Sequence, residues 1–254
     1  MLALTSLWLV PIVFIVVAVG AGLQRVAGMG LGLIAATILS VVIGPVDGVL
    51  IVNVLAVFTA VSTTWAARRD VDWGKFALIA PVMVLGSLPA ALLITRIDKS
   101  GLQVLVGLTL LIALSVTTFG QRWVPRVTSN AWAMLAGVVG GFTNTLAAIA
   151  GPVITVYAQA SRWEHHRFAA TLQPLFIVTG FLSVAMKTLV GAGHVTDTPW
   201  PVWAAGVAGL TLGVFAGGRL ARRVPRDKAR VLALTVAIAG AISALLHGLI
   251  GILG

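Results

Sequence analysis

Residues 131–160 read AWAMLAGVVGGFTNTLAAIAGPVITVYAQA, and whether they cross a bilayer once or twice decides the architecture. With its flanks the stretch is too long for one ordinary crossing of about 20 residues and too short for two comfortable ones. It holds Gly140-Gly141, Asn144 and Gly151-Pro152 inside an apolar run. Backbone that leaves the helix at membrane depth must line protein or a cavity, so this pattern predicts a broken or re-entrant helix pair.

The rest of the chain repeats the theme. Of 254 residues 59% are apolar and only 9% charged, against about 25% charged in a soluble domain. Uncharged runs at 1–24, 26–46, 48–67, 76–95, 100–121, 127–161, 168–186, 198–218 and 231–254 are nearly all long enough to span. None alternates with period two, which excludes a barrel in favour of helices. Helical segments are expected near 7–23, 26–43, 47–67, 75–95, 101–119, 131–147, 149–160, 168–190, 201–221 and 230–251, joined by loops too short for a soluble domain. No basic residue precedes the first apolar stretch, so 7–23 is read as a retained membrane segment rather than a leader. The chain has no cysteine, which removes thiolate and iron–sulfur chemistry.

An internal repeat is expected from the second half of each run. Gly86 to Leu105 (GSLPAALLITRIDKSGLQVL) lies over Gly213 to Leu232 (GVFAGGRLARRVPRDKARVL) without a gap. Allowing the longer loop around 191–200, Asn53 falls against Gln173 and Gly30 against Gly151. The charges test this independently. Placing Arg219, Arg222, Arg223, Arg226, Lys228 and Arg230 in the cytoplasm and counting ten segments puts 14 of the 17 basic residues inside, leaving Arg96, Lys99 and Lys187 outside. Counting 131–160 as one crossing divides them 10 against 7. The positive-inside rule therefore selects an all-α polytopic membrane protein of two inverted repeats, 1–120 and 127–254. Each repeat holds a broken or re-entrant pair plus three long transmembrane helices, with both termini outside the cytoplasm. The net charge of +10 is thus read as topology and not as a nucleic-acid surface.

The glycine-rich Gly28-Met-Gly30-Leu-Gly32, the matching Ala150-Gly151-Pro152-Val-Ile-Thr-Val-Tyr157 and the two-halved plan resemble the TauE/SafE sulfite exporter family, also called the toluene sulfonate uptake permease family. The resemblance runs from about Gly20 to Leu246. It departs from the family pattern in the first half, where three consecutive glycines and a proline are usual and this chain alternates glycine with Met and Leu before Ala35-Ala36. The resemblance implies a secondary carrier for sulfite, sulfonates or related small anions in a bacterial inner membrane, without a cofactor.

Interrupted helices that meet near the midplane offer unpaired N–H groups and partial positive charge to an anion. Gly28, Gly30 and Gly151 permit close backbone approach, and Pro152 suits the first turn of a new helix; packing alone is the competing explanation for glycines such as Gly107, Gly206 and Gly209. Asn53 and Gln173, with Thr171 nearby, place polar groups inside apolar runs, either as oxyanion donors or as links between helices. Thr143, Asn144 and Thr145 cannot all face lipid, which predicts a cavity or a helix crossing. Gln24 and Arg25 reach the anion if the first pair is re-entrant; otherwise Arg25 is a cytoplasmic loop charge. Tyr157, the sole tyrosine, is either a hydroxyl donor or an interfacial belt residue beside Trp163. His247 is a candidate proton carrier, more simply a helix-to-helix hydrogen bond. Glu164, His165 and His166 read as a solvated basic face rather than a metal site. Tryptophans 65, 73, 123, 132, 163, 200 and 203 read as interfacial anchors.

All seven acids lie in loops or at helix ends, so neither a catalytic carboxylate constellation nor a buried cation site is expected. The cargo class this favours is a small oxyanion. The alternatives are a ten-segment carrier of neutral or cationic metabolites or drugs, and a non-transporting membrane scaffold.

Overall fold

The computed structural model describes residues 2–27, 31–119 and 125–253, and among them there is helix and no strand. In chain order the helices are α1 (Leu2–Ala27), a wide π turn at Leu31–Ala35, α2 (Ala36–Val42), α3 (Pro45–Ala67), α4 (Trp73–Ile79), α5 (Met83–Arg96) and α6 (Lys99–Phe119). They continue with α7 (Asn130–Ala147), α8 (Gly151–Ala160), α9 (His165–Leu189), α10 (Trp200–Leu220) and α11 (Arg226–Leu253). Each segment expected from hydropathy is occupied by helix. Two differ in form: the described part of 26–43 is the end of α1, the π turn and α2, and 75–95 is divided into α4 and α5 by a turn at 80–82.

Among the described residues seven spans are long and apolar enough to cross a bilayer: Trp8–Val26, Pro45–Ala67, Trp73–Arg96, Lys99–Val116, His165–Leu189, Trp200–Leu220 and Lys228–Leu253. The stretch 131–160 is not one of them. It is two helices, and the reason is local. Ala148 adopts a left-handed conformation (φ 56°, ψ 35°) that ends α7, with its N–H donated to the Asn144 carbonyl. Pro152 then stands in the first turn of α8, where its missing N–H costs nothing. The Thr143 hydroxyl donates to the Ile149 carbonyl at 2.6 Å, clipping the end of α7 to the link. The opposite break, Leu31–Val42, is also short and apolar, but the helix before it, α1, has 26 residues and is long enough to span by itself.

Four helix pairs make the closest packing: α1 with α10, α5 with α7, α3 with α9, and α6 with α11. Small residues set two of these crossings. A Cβ on Gly86 would overlap the Val138 carbonyl of α7, and one on Gly213 would overlap the Ala18 carbonyl of α1. Such contacts replace hydrophobic burial as the source of cohesion in lipid. The outer faces remain apolar: Leu85, Leu135, Phe181 and Phe215 are exposed, as lipid contact requires. Trp65, Trp73, Trp132 and Trp200 are exposed as well, while Trp163 and Trp203 are partly buried; Trp123 lies outside the described residues.

Candidate functional site

The two interrupted segments meet. A Cβ on Gly32 would come within 2.9 Å of the Ala148 carbonyl, so only glycine lets the π turn lie against the α7–α8 link. Beside this contact is a cavity of about 180 Å³. Its walls come from Gly32 and Leu33 of the first break, from Ala148 to Pro152 of the second, and from α3 and α9. The polar groups that line it are Gln24, Asn53, Thr59, Asn144, Thr155 and Gln173. Among the described residues no charged side chain lines it.

Asn53 and Asn144 are 3% and 4% exposed, and their amides bond to each other. Asn144 Nδ2 donates to Asn53 Oδ1 at 2.7 Å and to the Thr179 carbonyl at 3.2 Å. Asn53 Nδ2 donates to Ser183 Oγ at 3.1 Å and to the Val49 carbonyl at 3.1 Å. One network therefore ties α3, α7 and α9 at the cavity wall, and its N–H groups are already engaged. The donors left facing the cavity are of another kind. Gln24 accepts the Leu31 N–H at 3.1 Å through Oε1, which leaves its Nε2 free to point elsewhere, and Gln173 lines the cavity from α9. The start of α8 adds the first-turn N–H of Gly151, which lines the cavity and lies before the first intrahelical bond, from Ile154 N–H to the Ala150 carbonyl. Pro174 sits next to Gln173 inside α9, and proline at that place withholds one ladder bond where the helix borders the cavity.

Gln24, Thr59 and Gln173 also line a second, wider space of about 760 Å³. This vestibule is bounded by α1, α3, α9 and α10, and among the described residues its one charged side chain is Arg25, exposed in the last turn of α1. Arg25 does not line the small cavity; it lines the wider space, which shares Gln24, Thr59 and Gln173 with that cavity.

Other residues singled out by sequence have different places. Thr143 holds the α7–α8 link, and Thr145 is fully buried with its hydroxyl unpartnered. Thr171 accepts the Asp72 N–H at 2.8 Å and donates to the Arg167 carbonyl at 2.7 Å, fastening the α3–α4 loop to α9. Tyr157 packs edge-on against Trp163 at 6.2 Å with the Lys75 ammonium 5.6 Å from its ring, away from the cavity. His247 is exposed and bonds the Ser243 carbonyl of its own helix at 3.0 Å. His166 meets Asp70 at 3.1 Å, and among the described residues no cluster of three metal-ligating side chains occurs. Gly28 and Gly30 lie outside the described residues, as does Arg122. Thr59, Thr155 and Phe176 line the cavity without having been singled out; hydroxyls one turn from Gly151 or mid-span in α3 carry no pattern that distinguishes them from ordinary back-bonded threonines.

A family model described as sulfite exporter TauE/SafE matches residues 12–244. The chain is 28% identical over 184 residues to a probable inner membrane transporter protein, TsaS, of Comamonas testosteroni, covering 70% of this chain and 74% of that protein. No solved structure matches. With a family match from the first spanning helix into the last, the chain belongs to the sulfite exporter TauE/SafE family, a family of membrane transporters and not of enzymes.

Proposed function

We propose that the protein exports a small oxyanion, sulfite or an organosulfonate, by alternating access across two inverted halves. The observation that carries this reading is the cavity lining: amide groups, hydroxyls and the start of α8 converge there without a carboxylate or an ammonium. A helix start carries roughly half a positive charge, and an oxyanion takes several N–H donors at once. A desolvated cation would find no carboxylate to pair with and would face the positive helix start, which disfavours a carrier of cationic cargo.

The four close helix pairings support the repeat. Exchanging the halves turns α1 with α10 into α7 with α4–α5, and leaves α3 with α9 and α6 with α11 as pairs across the pseudo-axis. The vestibule is lined by Arg25, Ser62 and Thr63, toward the C-terminal ends of α1 and α3, the same end as the basic loops. Orientation by the positive-inside rule makes that end cytoplasmic, and the state is then inward-open, closed on the far side by the Asn53–Asn144–Ser183 network. Export of an anion from a negative cytoplasm runs down about 2.3 kcal/mol per charge at 100 mV, so uniport suffices.

Binding to the purified protein tests the site. Sulfite and methanesulfonate are expected to raise its melting temperature, and Gln173→Leu to weaken binding about tenfold, the cost of one hydrogen bond to a charged ligand. Tight binding of an organic cation in place of either anion would contradict the reading.

A further inference from the structure

Helix α9 carries Thr179, Ser183 and Lys187 at every fourth position, one stripe down a single face. All three are sealed from solvent, at 1%, 0% and 0% exposure. The stripe begins at the cavity wall, where the Thr179 carbonyl accepts from Asn144 and the Ser183 hydroxyl from Asn53. From there it runs away from the vestibule to the far end of α9. Lys187 stands at that end and is the one completely buried cation among the described residues. Its Nζ has no hydrogen-bond partner, and neither has the Thr179 hydroxyl.

The charge that acts on Lys187 is the carboxylate of Asp47, in the first turn of α3. The two do not form an ion pair; Asp47 also feels Lys99 and Asp197, and it borders the loop at Gly193, where a Cβ would lie 3.7 Å from its Oδ1. A lysine counted by sequence among the outside charges is therefore buried without an acceptor, at the far end of a polar stripe that starts at the cargo cavity. An ammonium in that position is costly to a folded protein unless something comes to it.

We propose that Lys187 is a second anion station on the outward path. Cargo leaving the central cavity passes along Thr179 and Ser183 to the Lys187 ammonium, and Asp47 weakens its hold there so that the anion departs to the outside. Conduction needs such a station to bind strongly enough to receive the ion and weakly enough to release it. The proposal rests on the anion-export reading and on its orientation.

The chain has no cysteine, so Lys187→Cys creates a sole thiol. Alkylation with 2-bromoethylamine displaces bromide by the sulfur, releases the thiol proton to buffer and leaves a side chain of lysine length ending in an ammonium. Lys187→Met and Lys187→Cys are expected to melt near the native temperature and to bind sulfite within about twofold of the native protein, while efflux from proteoliposomes falls at least about tenfold. Aminoethylation of the Lys187→Cys variant, followed by mass, is expected to restore most of the efflux. Native efflux in Lys187→Met would overturn the proposal, as would equal losses of binding, melting temperature and efflux, which describe a structural lysine. If the native protein itself neither binds nor moves sulfite or methanesulfonate, the export reading has failed. Alkylation still decides the residue's place: a modified thiol in Lys187→Cys keeps position 187 on a water-filled path, and an unmodified one removes it.

Discussion

The side-chain amide of Asn144 donates to Oδ1 of Asn53 at 2.7 Å, joining the end of α7 to the middle of α3 at the wall of the central cavity. Both residues are buried, so removing one leaves the other with an unmet polar group. Asn144→Ala is expected to cost about 1–3 kcal/mol and to lower the melting temperature in detergent. Asn53→Ala should cost a similar amount, and the double variant less than their sum, because the second deletion removes the orphan left by the first. Additive losses would mean that the pair is not coupled.

Close helix crossings make a separate prediction. Gly86 of α5 faces the Val138 carbonyl so closely that alanine there would force α5 and α7 apart. Gly86→Ala is expected to destabilise the protein by about 1–3 kcal/mol, the usual cost of overpacking. Gly218→Ala, with nothing within 4 Å of the added carbon, should melt within about 0.5 kcal/mol of the native protein.

Arg25 stands in the vestibule and not in the cavity, which predicts capture without retention. Arg25→Ala is expected to raise the half-saturating concentration about fivefold with little change in maximal rate, and the effect should shrink at high salt. Arg25→Lys should keep most of the native affinity. A collapse of maximal rate in both variants would place the guanidinium on the cargo itself.

Thr171 and Tyr157 are expected to matter for stability alone. Thr171→Val removes the acceptor of the Asp72 N–H and the donor to Arg167, and should lower the melting temperature while leaving affinity for sulfite unchanged. Tyr157→Phe keeps the ring that packs on Trp163 and should transport normally. Loss of binding in Tyr157→Phe would put the hydroxyl in contact with cargo.

Hydropathy and the Gly-Pro pair made the helices and the break between α7 and α8 legible in advance, because each depends on local composition and backbone freedom. Partners were harder. Asn53, aligned with Gln173 by repeat and read as an oxyanion donor or a link between helices, bonds Asn144, a partner set by how α3, α7 and α9 cross and not by any spacing along the chain. Gln173 was found because an amide inside an apolar run is costly wherever it lies. Thr171, singled out beside Gln173, fastens a loop, and Tyr157, read as a hydroxyl donor or a belt residue beside Trp163, packs on that ring. Lys187 was counted among the outside charges, and no spacing along the chain signals that it is completely buried with its Nζ unpartnered.

Anion efflux under a set potential tests the central claim most directly. Proteoliposomes loaded with sulfite and made negative inside by a potassium gradient should lose it several-fold faster than at zero potential, since about 2.3 kcal/mol per charge acts at 100 mV. The same vesicles with Gln173→Leu, loaded below saturation, should lose it up to about tenfold more slowly. Efflux that is indifferent to the potential, or that is unchanged by removal of the Gln173 amide, would contradict electrogenic export through this cavity.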